Sequence, residues 1–374
     1  MRVLAVTTWF PTPNGSSTGA FVVKDALAIA GLGHDVAVVH LCPPHQWVQE
    51  WARDGSEQHE VQGLPVTRIP MATSDPRQIA AAGRLLRAMG RGADVVHTMA
   101  FSTLLPLAWW RPDAPWVHTE HWSGLTAPQT LPASWRRALP ALRLLHRRPD
   151  VVTAVCDYLA EPIRAVRGDA PVSVVPCIVP VPDPVPPRSA DRRRLRLVSV
   201  GGLIERKDPV LAVDVVAELL VRGHDARISF VGEGPLRPRI VERARLLDIA
   251  DRVRLTGSLD GAGVLDALTR AHLFLGPTRG DNFFVSCAEA LVAGRPVVVG
   301  STGGQGEYID PAVGQTVDEQ TAGAYADAVE AVLTRTEGLS AQDISDTVGP
   351  RFSVDAVARG YQAAYERAVS VRTS

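Results

Sequence analysis

The chain is poor in lysine. Of its 374 residues only Lys24 and Lys207 are lysine, and almost every other cation is arginine. With abundant Ala, Val and Gly, this is the usage of a G+C-rich, actinobacterium-like genome and says nothing of function. Cysteine is scarce too. Cys42, Cys156, Cys177 and Cys287 are scattered, with no Cys-x-x-Cys pair and no Cys/His cluster, which argues against a zinc site. They read as small buried residues of a protein in a reducing cytoplasm. No apolar run reaches the ~18 residues of a membrane-spanning helix. The opening MRVLAVTTWFP is too short for a secretory leader and ends in a turn. Neither sign of charge dominates: the formal net charge is -1. That disfavours nucleic-acid binding, which needs a basic face. No Gly-x-Gly-x-x-Gly is found, which disfavours a nicotinamide dehydrogenase.

What is present suits two hydrophobic cores. The composition is 46% hydrophobic and 21% charged, enough for two domains. Apolar, β-rich runs at 2–10, 35–42, 93–99, 115–121 and 150–156 alternate with helix-like stretches. After a Pro-rich segment the pattern restarts, with runs at 195–203, 226–234, 251–259, 272–278 and 294–301. Alternating strands and helices give parallel sheets covered on both faces. The expected organisation is an α/β chain of two Rossmann-like, doubly wound domains facing across a cleft. The first covers 1–178, a Pro-rich linker 179–194, the second domain 195–353. A last helical stretch, 354–374, is expected to pack back on the first domain. In such sheets ligands bind at the carboxyl ends of the strands.

Several residues fall at those ends. Arg206 and Lys207 follow a Gly201-Gly202 turn, where two cations beside a close backbone approach suit a diphosphate. A solvated basic pair before a helix reads equally well. Gly232 and Gly234 form a second glycine turn. Asp281 and Glu289 bracket a loop and the start of a helix closed by Gly294. The amides near Phe284, Val285 and Ser286 are then open to an anion. Glu289, about one turn in, could accept two hydrogen bonds from a vicinal diol such as ribose, each worth ~1.5–3 kcal/mol. Taken singly, Asp281 reads as a cap and Glu289 as a partner of the helix dipole.

The order of these motifs resembles the retaining glycosyltransferases of family 4, which have the two-domain GT-B fold. That family carries two acids with seven residues between, then Ala and a Gly-x-Pro-Val-Val strand. Here stand Asp281, Glu289, Ala290 and Gly294-Arg295-Pro296-Val297-Val298. The resemblance implies that Glu289 binds the ribose of a nucleotide sugar and that the Asp281–Val285 loop, with Phe283 and Phe284, meets the donor sugar. It makes Arg206 and Lys207 the diphosphate pair and places the base by Gly257-Ser258. Gly303-Gly304 with Glu307 matches the Gly-Gly-x-x-Glu after the last strand. Three departures stand out: Asp281 replaces the commoner Glu, Gly202 an arginine, and Cys177 an asparagine.

In the first domain the Gly15–Gly19 loop resembles the family's donor-facing glycine loop, with Gly19 the residue for close approach. His121 aligns with the family's histidine at the donor sugar and is expected to project into the cleft. His118 is expected in the core or at an edge, on a different strand face from Glu120 and Trp122 if the strand continues that far. His97 is the weaker candidate. The segment 134–149 is basic, with an apolar stripe at Trp135, Leu139, Leu142 and Leu145. Such a segment can lie on an anionic membrane. Soluble helices carry the same pattern, and Pro140 is expected to break this one, so membrane contact is the less favoured reading.

The expected activity is transfer of a sugar from a nucleoside diphosphate donor to an acceptor hydroxyl of unknown class, with retention and without a metal or cofactor. A sugar-nucleotide epimerase of the same fold and a non-catalytic sugar-nucleotide-binding protein are the rival readings.

Overall fold

A computed structural model describes residues 1–11, 19–50, 58–189, 191 and 193–373, apart from the side chains of 48–50 and 58. Most of the Gly15–Gly19 loop lies outside the described residues. The chain divides into two compact units, one of Met1–Ile178 with Val354–Ser374, the other of Val179–Ser353.

The first unit runs β1 (Arg2–Thr7), α1 (Ala20–Gly31), β2 (Asp35–Cys42), α2 (Pro44–Glu50), β3 (Gln58–Val61), β4 (Leu64–Pro70), α3 (Pro76–Gly90), β5 (Val95–Met99), β6 (Trp116–Glu120), α4 (Ala133–Leu142), β7 (Val151–Ala154), α5 (Asp157–Arg167) and β8 (Val172–Val174). The sheet order is β3-β4-β2-β1-β5-β6-β7-β8. Strands β5, β6 and β7 are buried at every position, as a parallel sheet covered on both faces requires. Hairpin β3–β4 was not anticipated. It is the one antiparallel pair of strands among the described residues. Its two-residue turn, Gln62-Gly63, has φ of 52° and 84°, the geometry that matches strand twist. The sequence signal is hidden because Gln takes the place usually held by Asn or Asp.

The second unit runs β9 (Leu195–Val200), α6 (Pro209–Val221), β10 (Ala226–Val231), α7 (Arg237–Leu246), β11 (Val253–Leu255), α8 (Gly261–Arg270), β12 (Leu273–Gly276), α9 (Val285–Val292), β13 (Val297–Gly300), β14 (Gly314–Val317), α10 (Ala322–Arg335) and α11 (Ala341–Val348). The sheet order is β11-β10-β9-β12-β13-β14, parallel throughout. The Pro-rich stretch ahead of β9 is strapped to this unit. Arg295 is fully buried and donates to the carbonyls of Pro186, Pro187, Leu268 and Thr269 at 2.9–3.1 Å. Arg188 does the same for Thr336 and Leu339. Guanidinium forks supply donors to carbonyls that proline-rich backbone cannot pair in a ladder.

The last helix, α12 (Val354–Thr373), belongs to the first unit and packs on α1. Its buried face carries two tyrosines. Tyr361 donates to Asp25 of α1 at 2.9 Å. The Tyr365 hydroxyl is 2.8 Å from Nδ1 of His97, whose Nε2 is 2.6 Å from Thr119. Burial pushes the His97 imidazole down to about 3, so it is a neutral member of a core network.

Asp25 is buried in the same contact. Burial pushes its carboxyl up to about 7, against the opposing pull of the Tyr361 hydroxyl and Lys24. Above its ordinary 3.8 the unfolded chain has lost the proton that the folded chain still holds. Stability therefore falls as pH rises from there to about 7 and levels off above. Asp25→Asn, which keeps an acceptor for Tyr361, is expected to flatten this dependence. Melting temperatures of both proteins across that window check it; parallel curves would refute it.

Candidate functional site

In the second unit β9 and β12 are neighbours at the centre of the sheet, where strand order reverses, and a ligand crevice belongs at their carboxyl ends. Two loops meet there. After β9, Gly201 takes φ 139°, a conformation only glycine holds without strain. The chain then makes a 3₁₀ turn, Glu205–Lys207, before α6. After β12 comes Asp281. Its Oδ2 accepts from Lys207 Nζ at 2.6 Å and from Arg206 at 2.8 Å, while its Oδ1 accepts from the Phe284 amide at 3.1 Å. Arg206 also donates to the Gly280 carbonyl at 2.7 Å.

The electrostatics follow from this geometry. Burial would raise the Asp281 carboxyl, but the charges of Lys207 and Arg206 outweigh it and hold the group at about 2. Burial lowers Lys207, with Asp281 offsetting part of the effect. The ammonium also lies 3.4 Å above the centroid of the Phe284 ring, a cation–π contact. The two cations are thus held side by side by one carboxylate.

Helix α9 starts immediately beyond. Ser286 Oγ donates to the Val200 carbonyl at 2.8 Å, tying the first turn to the end of β9. Phe284 caps the helix at φ 56°, strained for a non-glycine residue. The first-turn amides of any helix lack intrahelical partners, but that of Phe284 is taken by Asp281, which narrows the expected anion site to Val285 and Ser286. Gly303-Gly304 close the other side: the Gly304 amide donates to the Asp281 carbonyl at 3.0 Å, and a Cβ on Gly303 would stand 2.1 Å from that oxygen.

Some expected contacts are reassigned. The rings of Phe283 and Phe284 are buried; Phe283 packs on Tyr308 and Phe352, and Phe284 on Phe274. They serve the core, leaving backbone for a ligand. A Cβ on Gly234 would meet the Leu203 carbonyl at 2.4 Å, so the loop after β9 demands this glycine. Gly257 takes φ 81° and bridges to Gly232, and Ser258 is exposed beside it. Glu289 is half-buried in α9, and Glu307 is exposed on the 3₁₀ turn Gly304–Glu307.

In the first unit His118 and Glu120 share one face of β6, because strand side chains two apart do; this corrects the expected separation. Glu120 is fully buried and saturated. Its Oε1 accepts from the amides of His121 and Trp122 at 2.9 and 2.8 Å. Its Oε2 lies 3.3 Å from His118 Nε2 and 2.8 Å from His146 Nε2. Burial would raise this carboxyl, but the hydrogen bonds to both imidazoles hold it well below the usual range. Glu120 therefore clamps the backbone from which His121 emerges. The sequence reading missed it because His146 lies far along the chain. The set His118, Glu120, His146 has the donors of a metal site. Two ligands of a tetrahedral zinc ion stand ~3.3 Å apart, so the shorter Glu120–His146 contact marks a hydrogen bond.

His121 is half-buried against the Phe21 ring at 4.5 Å between centroids, and burial pushes its imidazole down to about 4. Gly19 takes φ 77°, and a Cβ there would lie 2.3 Å from the Trp9 carbonyl. The close approach it permits is to its own chain. The stripe on 134–149 turns inward: Leu139 is buried, and Trp135, Leu142 and Leu145 pack on the core. Pro140 sits inside α4, which passes into a 3₁₀ turn only at Arg143.

With this geometry two family profiles agree. Residues 194–335 match "Glycosyl transferases group 1", and 14–181 match "Glycosyltransferase Family 4". The chain belongs to glycosyltransferase family 4. Among relatives in the family, it is 31% identical over 147 residues to a subunit of human phosphatidylinositol N-acetylglucosaminyltransferase. It is 33% identical over 145 residues to a GDP-mannose-dependent phosphatidylinositol dimannoside mannosyltransferase of Mycobacterium tuberculosis. These matches take 39% and 38% of this chain and span only 30% and 37% of the relatives' own lengths. Glycogen synthase of M. tuberculosis is 23% identical over 89% of this chain and 86% of its own. Sucrose-phosphate synthase of Thermosynechococcus elongatus superposes with a TM-score of 0.75 at 17% identity, over 99% of this chain and 100% of that one. Anabaena HepE, in complex with UDP and glucose, gives 0.74 at 14% identity, over 98% and 99%. The fold is GT-B, with two Rossmann-like domains. Among the described residues no helix is long and apolar enough to cross a membrane.

Leaving a buried donor unsatisfied costs ~1–3 kcal/mol. Glu120→Ala is expected to lose that order of stability in urea denaturation, and Glu120→Gln less. An unchanged midpoint for Glu120→Ala would show that the clamp contributes nothing.

Proposed function

We propose that the chain transfers a sugar from a nucleoside diphosphate donor to an acceptor hydroxyl, with retention at the anomeric carbon. The observation that carries this reading is the Arg206–Lys207 pair, gathered by Asp281 at the carboxyl ends of β9 and β12 beside the start of α9. Family membership supports it, as do the GDP-mannose named for the mycobacterial relative and the UDP and glucose named for HepE.

Asp281 holds the cations in place before substrate arrives, and a diphosphate then competes with it for them. As the bond to the sugar breaks, negative charge grows on the departing diphosphate. Arg206, Lys207 and the amides at the start of α9 meet that charge without reorganising. Glu289 accepts from the ribose hydroxyls, and His121, held neutral by burial, offers a hydrogen-bonding ring to the sugar. Cytoplasmic action on soluble nucleotide sugars fits this chemistry, and no step is routed through a metal.

The two roles separate experimentally. Glu289→Ala is expected to weaken UDP or GDP binding in calorimetry by roughly tenfold or more, the loss of one to two charge-assisted hydrogen bonds. Wild-type affinity in that variant would move the ribose elsewhere. Lys207→Ala is expected to lower kcat by about 10²–10³-fold, the usual cost of removing one donor to a developing anion. A change confined to KM would assign Lys207 to binding alone.

A further inference from the structure

The start of α9 carries a strained residue that the donor chemistry does not explain. Phe284 takes φ 56° and ψ 63°, left-handed backbone that glycine adopts freely and a bulky residue does not. Such strain persists only where the surroundings over-determine it, and it gathers at functional positions. Three sets of contacts hold Phe284 in this conformation. Its amide donates to Asp281 Oδ1 at 3.1 Å. The Tyr308 hydroxyl lies 3.0 Å from its carbonyl and 2.8 Å from that of Phe283. Its buried ring meets Phe274 edge-on, with centroids 5.6 Å apart, and fills space left open by Gly276, where a Cβ would come within 2.7 Å of the ring. Glycine is thus absent at 284, where the backbone favours it, and present at 276, where the ring must fit.

The same ring also meets Lys207. The ammonium sits 3.4 Å above its centroid and 2.6 Å from Asp281 Oδ2. The other ionisable groups facing Lys207 are Arg206 and the Cys287 thiol, and burial pushes that thiol up to about 12. Asp281 is therefore the one anion among them near pH 7. When a diphosphate competes with Asp281 for the two cations, Lys207 is left facing the repulsion of Arg206. A second carboxylate beneath the ammonium would repel the arriving phosphate as well. An aromatic face attracts a cation without carrying a charge, so it holds the ammonium and does not oppose the anion. Of the three donors of an ammonium, Asp281 and the ring engage two, and a third remains for a phosphate oxygen.

We infer that Phe284 is a positioning residue whose ring is the uncharged seat of Lys207, keeping the ammonium in place while a diphosphate exchanges with Asp281. The inference rests on the transferase reading. It gives the Phe284 side chain a role of its own, apart from any ligand contact of the backbone at the start of α9, and it accounts for a strained bulky residue at this position.

The test exploits the scarcity of lysine. With isotope-labelled lysine the full chain gives side-chain NMR signals from Lys24 and Lys207 alone, and Lys24→Arg, at an exposed position on α1, tells them apart. Phe284→Leu keeps an apolar side chain and removes the π face. A 3,5-difluorophenylalanine placed at 284 keeps the ring and weakens its pull on a cation. The Lys207 titration is expected to move to lower pH in the order wild type, difluoro ring, leucine, with roughly fivefold more neutral Lys207 in Phe284→Leu at a given pH. Affinity for UDP or GDP in calorimetry at pH 7 should fall in the same order, by roughly three- to tenfold for Phe284→Leu. A merely structural role would lower the melting temperature of Phe284→Leu and leave the difluoro protein at wild-type titration and affinity. That result, or a nucleotide affinity that stays constant while the titration moves, would overturn the inference. If the titration moves as expected but neither nucleotide binds even the wild type, the transferase reading falls and the seat of Lys207 stands. If nucleotides bind the wild type and the titration does not move, this inference falls alone.

Discussion

Everything at the centre of the second unit depends on the carboxylate of Asp281. Two cations packed side by side repel each other, and without a shared anion Lys207 would lose its proton or Arg206 would swing out to water. Asp281 takes both on one oxygen and uses the other to hold the Phe284 amide. Its carbonyl receives the Gly304 amide. One residue thereby fixes three segments that are distant in sequence: the turn after β9, the start of α9 and the loop after β13. The proposed anion site is a by-product of that fastening, because the two half-buried cations are already oriented.

The first unit solves a related problem with the opposite charge balance. Glu120 sits at the carboxyl end of β6 as Asp281 follows β12, and it too is a buried acid whose oxygens are fully engaged. Its partners are imidazoles and backbone amides. It adds rigidity without leaving a cation for a ligand. Trp122, held through its amide by Glu120, is thereby fixed in its stack on Phe101.

The parallel strands were legible in sequence because burial on both faces leaves continuous apolar runs, and the runs containing β1, β5, β9 and β12 stand out. Strands β3, β4, β8 and β14 did not, being short or only partly apolar. At the site, glycine identity was readable but the neighbour was not. Gly19 and Gly234 are demanded by the backbones of Trp9 and Leu203, contacts that no local pattern encodes. Phe283 and Phe284 lie inside a loop motif that draws attention to ligands, yet their rings are core. The Glu120 cluster escaped because its deciding partner, His146, comes from a separate turn after α4, and only folding brings them together.

The saturation of Glu120 has an evolutionary consequence. With both oxygens committed to two imidazoles and two amides, no single replacement at 118, 120 or 146 leaves the others content. Lineages that change one should change the rest, either to an all-apolar trio or to another matched hydrogen-bonding set. These three positions are thus expected to covary as a block, although all are buried and they span two separate stretches of chain.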